Sequence, residues 1–183
     1  MKLILVRHGE TFSNEKGIIQ GRLNGRKQKL NSVGIIQAKG LGKKFKKSKI
    51  DLIYSSRLKR AKQTARIVKK ELNVKLMLDK RLNDRKLGDL QGKKQPKHWN
   101  KSLWDSEFVS YHGCEMYLHL RRRVKKFLLN LLEKYPDKTI LIITHKAIVQ
   151  IIIGIIKGYK EEELKKVHLK KNPSGRILEI KEI

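Results

Sequence analysis

The chain has 183 residues, of which 39% are hydrophobic and 34% charged, and its apolar residues fall in periodic runs; this fits one domain with a buried core and argues against disorder. Cys114 is the single cysteine, which excludes a disulfide framework and a cysteine-based zinc site and suits a reducing compartment. Forty-five Lys and Arg against 17 Asp and Glu give a net charge of +28, a field that draws polyanions or phosphorylated substrates.

Leu3–Val6 reads as a short buried strand, too short and poorly flanked for a signal peptide, so a cytoplasmic location is expected. Residues 9–31 are rich in Gly, Asn and Lys and read as a long loop. Ser32 is expected to cap a helix over 33–46 with Val33, Ile36, Leu41 and Phe45 inward. Asp51–Tyr54 is a second strand. Ser56 is expected to cap a helix over 57–72, whose Leu58, Ala61, Ala65, Val68 and Leu72 share one face while Lys59, Lys62, Arg66 and Lys69 share the other. Lys75–Leu78 is a third strand. Residues 79–114 lack clear periodicity and read as a long loop, with a lid or insertion at 85–114 packed by Trp99 and Trp104.

A strongly amphipathic helix follows over 115–134, with Tyr117, Leu120, Val124, Phe127 and Leu131 inward and Arg121, Arg122, Lys125 and Lys126 outward. Then come a strand at Ile140–Ile143, a helix over 146–157, a short helix near 160–166 and a last strand around Arg176–Ile180. The apolar region from Ile140 to Ile156 is interrupted by His145, Lys146 and Gln150, so it divides into strand and helix rather than spanning a membrane. Strands alternating with helices predict a single α/β domain over 1–183, three-layered, with a mainly parallel central sheet covered on both faces.

In such sheets ligands bind at the carboxyl ends of the strands. Arg7-His8-Gly9-Glu10-Thr11 follows the first strand, Thr144-His145 ends the fourth, and Ser55-Ser56-Arg57 places an arginine at a helix start. Arginine forks match phosphate oxygens, helix N-termini add N–H donors, and an imidazole can hold a phosphoryl group covalently. These three segments together describe a phosphoryl-transfer site.

Arg7-His8-Gly9-Glu10-Thr11 resembles the signature of the histidine phosphatase superfamily, whose fold is phosphoglycerate mutase-like (branch 1). The resemblance extends through Asn14, Gln20-Gly21, Asn31-Ser32-Val33-Gly34 with Gln37-Ala38, Ser55-Ser56-Arg57-Leu58 with Arg60-Ala61 and Thr64-Ala65, Leu82-Asn83-Asp84-Arg85 with Gly88 and Gly92, Gly113-Cys114-Glu115, and Thr144-His145. It implies a metal-independent phosphatase that hydrolyses phosphomonoesters through phosphohistidine on His8, without a metal or other cofactor. Arg7, Arg57 and His145 would clamp the phosphoryl oxygens with help from Asn14, Gln20 and Gly21. Asp84 would serve as acid and then base, and Lys146 would add a phosphate contact. The chain departs from the pattern where Asp84 replaces the usual Glu, Lys146 a glycine, and Cys114 and Met116 smaller or polar residues. Asp79, Asp89 and Glu115 are rival carboxylates.

Phosphoglycerate mutase activity is the alternative; the chain is short for it and lacks an insertion to enclose a bisphosphorylated intermediate. A second alternative is a weakly active family member that binds nucleic acid or another polyanion. Lysine is spread along the whole chain, so the charge reads first as solvated helix faces, with non-specific polyanion binding as its by-product. His98, His112, His119 and His168 read as surface residues, and Arg121-Arg122-Arg123 as a solvated face. A small phosphorylated substrate is the expected partner, and the pattern carries no sign of oligomeric state.

Overall fold

A computed structural model describes residues 1–95, 110–167 and 176–179. Five strands form one sheet: β1 (Lys2–Arg7), β2 (Leu52–Ser55), β3 (Lys75–Leu78), β4 (Thr139–Thr144) and β5 (Arg176–Glu179). Their spatial order is β3-β2-β4-β1-β5, parallel throughout except that β5 runs antiparallel to β1. The helices are α1 (Phe12–Glu15), α2 (Ser32–Phe45), α3 (Lys59–Leu72), α4 (Tyr117–Lys134) and α5 (Lys146–Ile156).

The pleat divides the core. Leu3 and Leu5 of β1 and Ile140 and Ile142 of β4 face α4 and α5, meeting Leu120, Val124, Phe127, Ile148 and Ile152. Ile4, Val6, Leu141 and Ile143 face α2 and α3, meeting Leu41, Phe45, Ala65 and Val68. Both faces of the central strands are therefore apolar, which is why these strands read as continuous runs rather than alternating ones. Each such side chain contributes about 1.5–3 kcal/mol on burial, so the sheet centre anchors whatever stands at its carboxyl end. The three-layer α/β/α arrangement is the one expected.

Several local expectations are corrected. Val33 and Ile36 are exposed, 46% and 69%, and the inward face of α2 is Gly34, Ala38, Leu41, Gly42 and Phe45. The cause is a close approach: a Cβ on Gly34 would meet the Glu10 carbonyl oxygen at 2.0 Å, so the helix turns its glycine toward the β1 loop. Asn31 rather than Ser32 caps α2, its Oδ1 accepting from the Gly34 N–H at 2.9 Å. The third helix starts at Lys59, and Ser56 instead accepts from the Leu58 N–H at 3.1 Å. The loop over 9–31 contains α1 and a 3-10 turn at Arg26–Gln28, the helix near 160–166 is 3-10, and 79–95 holds 3-10 turns at Lys80–Leu82 and Gly88–Leu90. His112 is no free surface histidine, because its Nδ1 lies 2.8 Å from Asp89 Oδ1. Trp99, Trp104, His98, His168, Ile180 and the middle of the expected lid lie outside the described residues.

Candidate active site

β1 and β4 are neighbours in register, with Arg7 opposite Thr144. The His8 N–H donates to the Thr144 carbonyl at 2.9 Å, extending the ladder by one residue. The strands thus deliver His8 and His145 side by side, with ring centroids 5.3 Å apart and planes at 61°. Both rings are buried.

Arg60 of α3 joins them. Its side chain is fully buried: Nε lies 3.1 Å from His8 Nε2, Nη2 lies 2.7 Å from the Gly21 carbonyl and 3.0 Å from Asp84 Oδ2, and Nη1 lies 3.2 Å from the Leu23 carbonyl. A guanidinium only donates, so His8 Nε2 must accept. The proton of neutral His8 then sits on Nδ1, which donates to the Gly9 carbonyl at 2.7 Å. Burial, then the charges of Arg60 and Arg7, hold the His8 pKa well below the ordinary histidine value. At neutral pH the site therefore presents an imidazole with its Nε2 lone pair directed at a cation.

His145 is also held well below its ordinary value, first by burial and then by Arg60. Ser56 spends its hydroxyl proton on Asn83 Oδ1 at 3.0 Å and accepts at 2.9 Å from His145 Nε2–H. His145 Nδ1 has no hydrogen-bond partner and lies 3.5 Å from Asp84 Oδ2. Asp84 Oδ1 accepts from the Arg85 N–H at 2.9 Å. Burial pushes the Asp84 carboxyl up, against the opposing pull of Arg60, the Arg85 N–H and Arg7. A carboxyl with a raised pKa beside a cationic cluster can lend a proton.

The remaining expected residues divide. Arg7 ends β1 next to His8; burial, against the charges of Asp84 and Glu10, pushes it below its ordinary value, yet an arginine stays cationic there. Gln20 is buried with Oε1 unpartnered, and Gly21, at φ +48°, is held against Gln91, where a Cβ would meet Oε1 at 2.3 Å. Asn14 turns its Oδ1 back to Thr11, 3.2 Å from N and 3.0 Å from Oγ1, and closes the cap of α1. Lys146 opens α5 in helical conformation, so lysine in place of glycine strains nothing, and burial followed by the charge of Arg7 lowers its ammonium pKa. Arg57 is not brought to His8. Its side chain is exposed and its charge bears on Asp79, while the backbone N–H donates to Asn83 Oδ1 at 2.9 Å.

Arg60 takes the position expected for Arg57. Its signal was present: it shares the buried helical stripe with Ala61, Thr64, Ala65 and Val68, where a cation needs a partner. Ser56 as the partner of His145 had no comparable signal. Asp79 is paired with Arg81, and Asp89 with His112 and Lys93, so neither rival carboxylate is free for the site. Among the described residues no three His, Cys, Asp or Glu side chains group as a metal site, and no helix is long and apolar enough to cross a membrane.

The family model of the histidine phosphatase superfamily (branch 1) matches residues 3–182. The chain belongs to that superfamily, and its reaction class is phosphomonoester hydrolysis. It is 33% identical to "Putative phosphoserine phosphatase 2" of Hydrogenobacter thermophilus, over 92% of this chain and 84% of that one. It is 31% identical to the metal-independent phosphoserine phosphatase of Arabidopsis thaliana, over 82% and 66%. Among solved structures, the phosphoserine phosphatase of Entamoeba histolytica in complex with 3-phosphoglyceric acid superposes with a TM-score of 0.79 at 26% identity, over 96% of this chain and 89% of that one. These names do not favour the mutase alternative.

Proposed function

We propose that the protein cleaves a small phosphomonoester by double displacement at His8 Nε2. The observation that carries this reading is the neutral His8 ring, its Nδ1–H on the Gly9 carbonyl and its Nε2 lone pair 3.1 Å from Arg60 Nε. The lone pair attacks phosphorus, the phosphorus–oxygen bond to the alcohol breaks, and Asp84 gives its proton to the leaving oxygen. Water then attacks the phosphohistidine, its proton passes to Asp84, and the phosphorus–nitrogen bond breaks.

Arg7 and Arg60 hold the phosphoryl oxygens in this scheme, and His145 joins them once Nδ1 carries a proton. Gln20 and the helix start at Lys146 add contacts, and Arg57 stands at the rim. Two buried acceptors, His145 Nδ1 and Gln20 Oε1, lack a donor, and an unmade buried hydrogen bond costs about 1–3 kcal/mol; a phosphoryl oxygen satisfies His145 only through a proton, carried by the phosphate or by Nδ1 itself. The whole of 1–183 acts as one domain in this reading, with 85–114 as the wall and lid of the site.

Phosphoserine is the first ester to try, because relatives carry that name, and 3-phosphoglycerate the second, because the Entamoeba histolytica structure is a complex with it. The test is phosphate release from a panel of phosphomonoesters with EDTA present, comparing wild type with His8→Ala. Turnover that survives EDTA and falls by about 10⁴-fold or more in the variant is expected, the scale of losing a covalent nucleophile. Turnover that persists in the variant would sink the assignment of His8.

A further inference from the structure

The acid of the site does not stand on the sheet. Asp84 lies in an irregular stretch between two 3-10 turns, and it has one methylene between backbone and carboxyl. Any shift of its peptide therefore carries straight to the carboxyl.

That peptide is gripped from behind. The Asp84 carbonyl accepts from Arg22 Nε at 3.2 Å and from Arg123 Nη2 at 3.2 Å. Both guanidinium groups are bound to Glu115: Arg22 Nη2 lies 3.2 Å from Oε2, and Arg123 gives Nε at 2.8 Å to Oε1 and Nη2 at 3.0 Å to Oε2. Arg123 also donates to the Arg81 carbonyl, the Lys86 N–H donates to Glu115 Oε2 at 3.3 Å, and Arg85 Nε donates to the Glu115 carbonyl at 2.6 Å. Burial raises the Glu115 pKa, but Arg123, Arg22 and the Lys86 N–H outweigh it and hold the carboxylate ionised.

We infer that Glu115 is a positioning residue: through Arg22 and Arg123 it fixes the Asp84 carbonyl, and so sets where the Asp84 carboxyl meets the leaving oxygen. The inference rests on Asp84 acting as the acid. The Glu115 carboxylate bonds to Arg22, Arg123 and the Lys86 N–H, and not to His8. Its carboxylate orients two forks that would otherwise turn to solvent, since bidentate arginine bonds are directional.

The test varies the need for a proton. An alkyl phosphomonoester has a poor leaving group, whereas p-nitrophenolate leaves without help. The parameter is kcat/KM, which reports transfer to His8 and not the later hydrolysis. In Glu115→Gln, kcat/KM on the alkyl ester should fall about tenfold or more, short of the loss in Asp84→Asn, and by less than about threefold on p-nitrophenyl phosphate. Adding Glu115→Gln to Asp84→Asn should cost nothing more on the alkyl ester, because both act at one step. Arg123→Lys should repeat the pattern. Equal losses on both esters would make Glu115 merely structural and overturn the inference.

A second readout needs no turnover. The Asp84 carboxyl carbon can be followed by NMR during a pH titration. A loosened peptide lets the carboxyl reach water, so its midpoint should drop by about half a pH unit or more in Arg123→Lys, which weakens the grip without changing the charge. An unmoved midpoint overturns the inference. Absence of phosphate release from any ester by wild type would instead strike the phosphatase reading, and leaves the titration to decide the clamp.

Discussion

The floor of the site and its wall are built by different means. His8 and His145 stand one residue beyond two central strands, paired in register by backbone hydrogen bonds from Lys2 to Arg7 against Thr139 to Thr144. Asp84 hangs in a wall whose geometry depends on side chains: Arg22, Arg123 and Glu115 behind it, Arg60 in front. A ladder cannot be removed by one substitution; a guanidinium can. The nucleophile is therefore insensitive to distant changes, whereas the acid can be tuned or lost by changes away from substrate.

Arg60 joins the two regions, so its removal is the largest break short of removing His8. Arg60→Ala should lower kcat/KM by about 10²–10³-fold, the scale of losing one preorganised donor to developing charge. Arg57→Ala should stay within about threefold, since an exposed cation at the rim contributes little. Parallel steady-state kinetics of the two variants settle which arginine serves the phosphoryl group. The reverse ranking would mean that substrate draws Arg57 inward.

Gly34 tests the floor. Its α-carbon sits against the Glu10 backbone, and a methyl there would lie 2.0 Å from the Glu10 carbonyl oxygen. Backbone cannot yield as a side-chain tip does. Gly34→Ala should destabilise by about 1–3 kcal/mol or more, read from denaturant midpoints. Gly40→Ala, with open space around it, serves as control and should hold or gain slightly.

The same contrast explains what could be read in advance. The strands and the helices with buried stripes were legible because apolar spacing reports burial directly: Leu3 to Val6, Ile140 to Ile143 and the inward face of α4 emerge as expected. The two histidines were legible because they end such strands. Val33 and Ile36 misled because a glycine, not a large side chain, faces the loop, and apolar periodicity cannot register contact made by an absent side chain. Position at a strand end points to Arg57, whereas only Arg60 lies on the buried stripe. In the sequence Glu115 stands out as part of Gly113-Cys114-Glu115 and as a rival carboxylate, with no role attached, and Arg123 as part of a solvated face. Pairing across 93 positions between Arg22 and Glu115 leaves no local pattern.

The buried histidines also write themselves into stability. Both pKa values are depressed in the folded chain, first by burial. The unfolded chain takes up protons near pH 6.5 while the folded chain does not, so stability is present above about pH 6.5 and is lost as pH falls toward the folded values. The slope is about 1.4 kcal/mol per pH unit for each histidine inside that window. Thermal melts at pH 7, 6 and 5 should show the decline, and His145→Asn should flatten it. An unchanged slope in that variant would mean that His145 already carries a proton when folded.

Lys146 carries the smallest expected effect and separates binding from folding most cleanly. Replacing it by glycine gives up helix propensity, at most about 1 kcal/mol in a helix interior and less at a first position. It also removes a half-buried cation from a helix N-terminus beside Arg7, where positive charge is unfavourable by about 0.3–1 kcal/mol. The two terms nearly cancel, so Lys146→Gly should melt within a few degrees of wild type, about what 1 kcal/mol produces in a chain of this size. Binding should not cancel. The Arg7 charge disfavours the ammonium, whereas a bound phosphoryl group favours it. KM should rise several-fold while kcat holds, the signature of contact kept equally in ground and transition states. A raised melting temperature with KM unchanged would instead show a lysine that only repels Arg7 and takes no part in holding substrate.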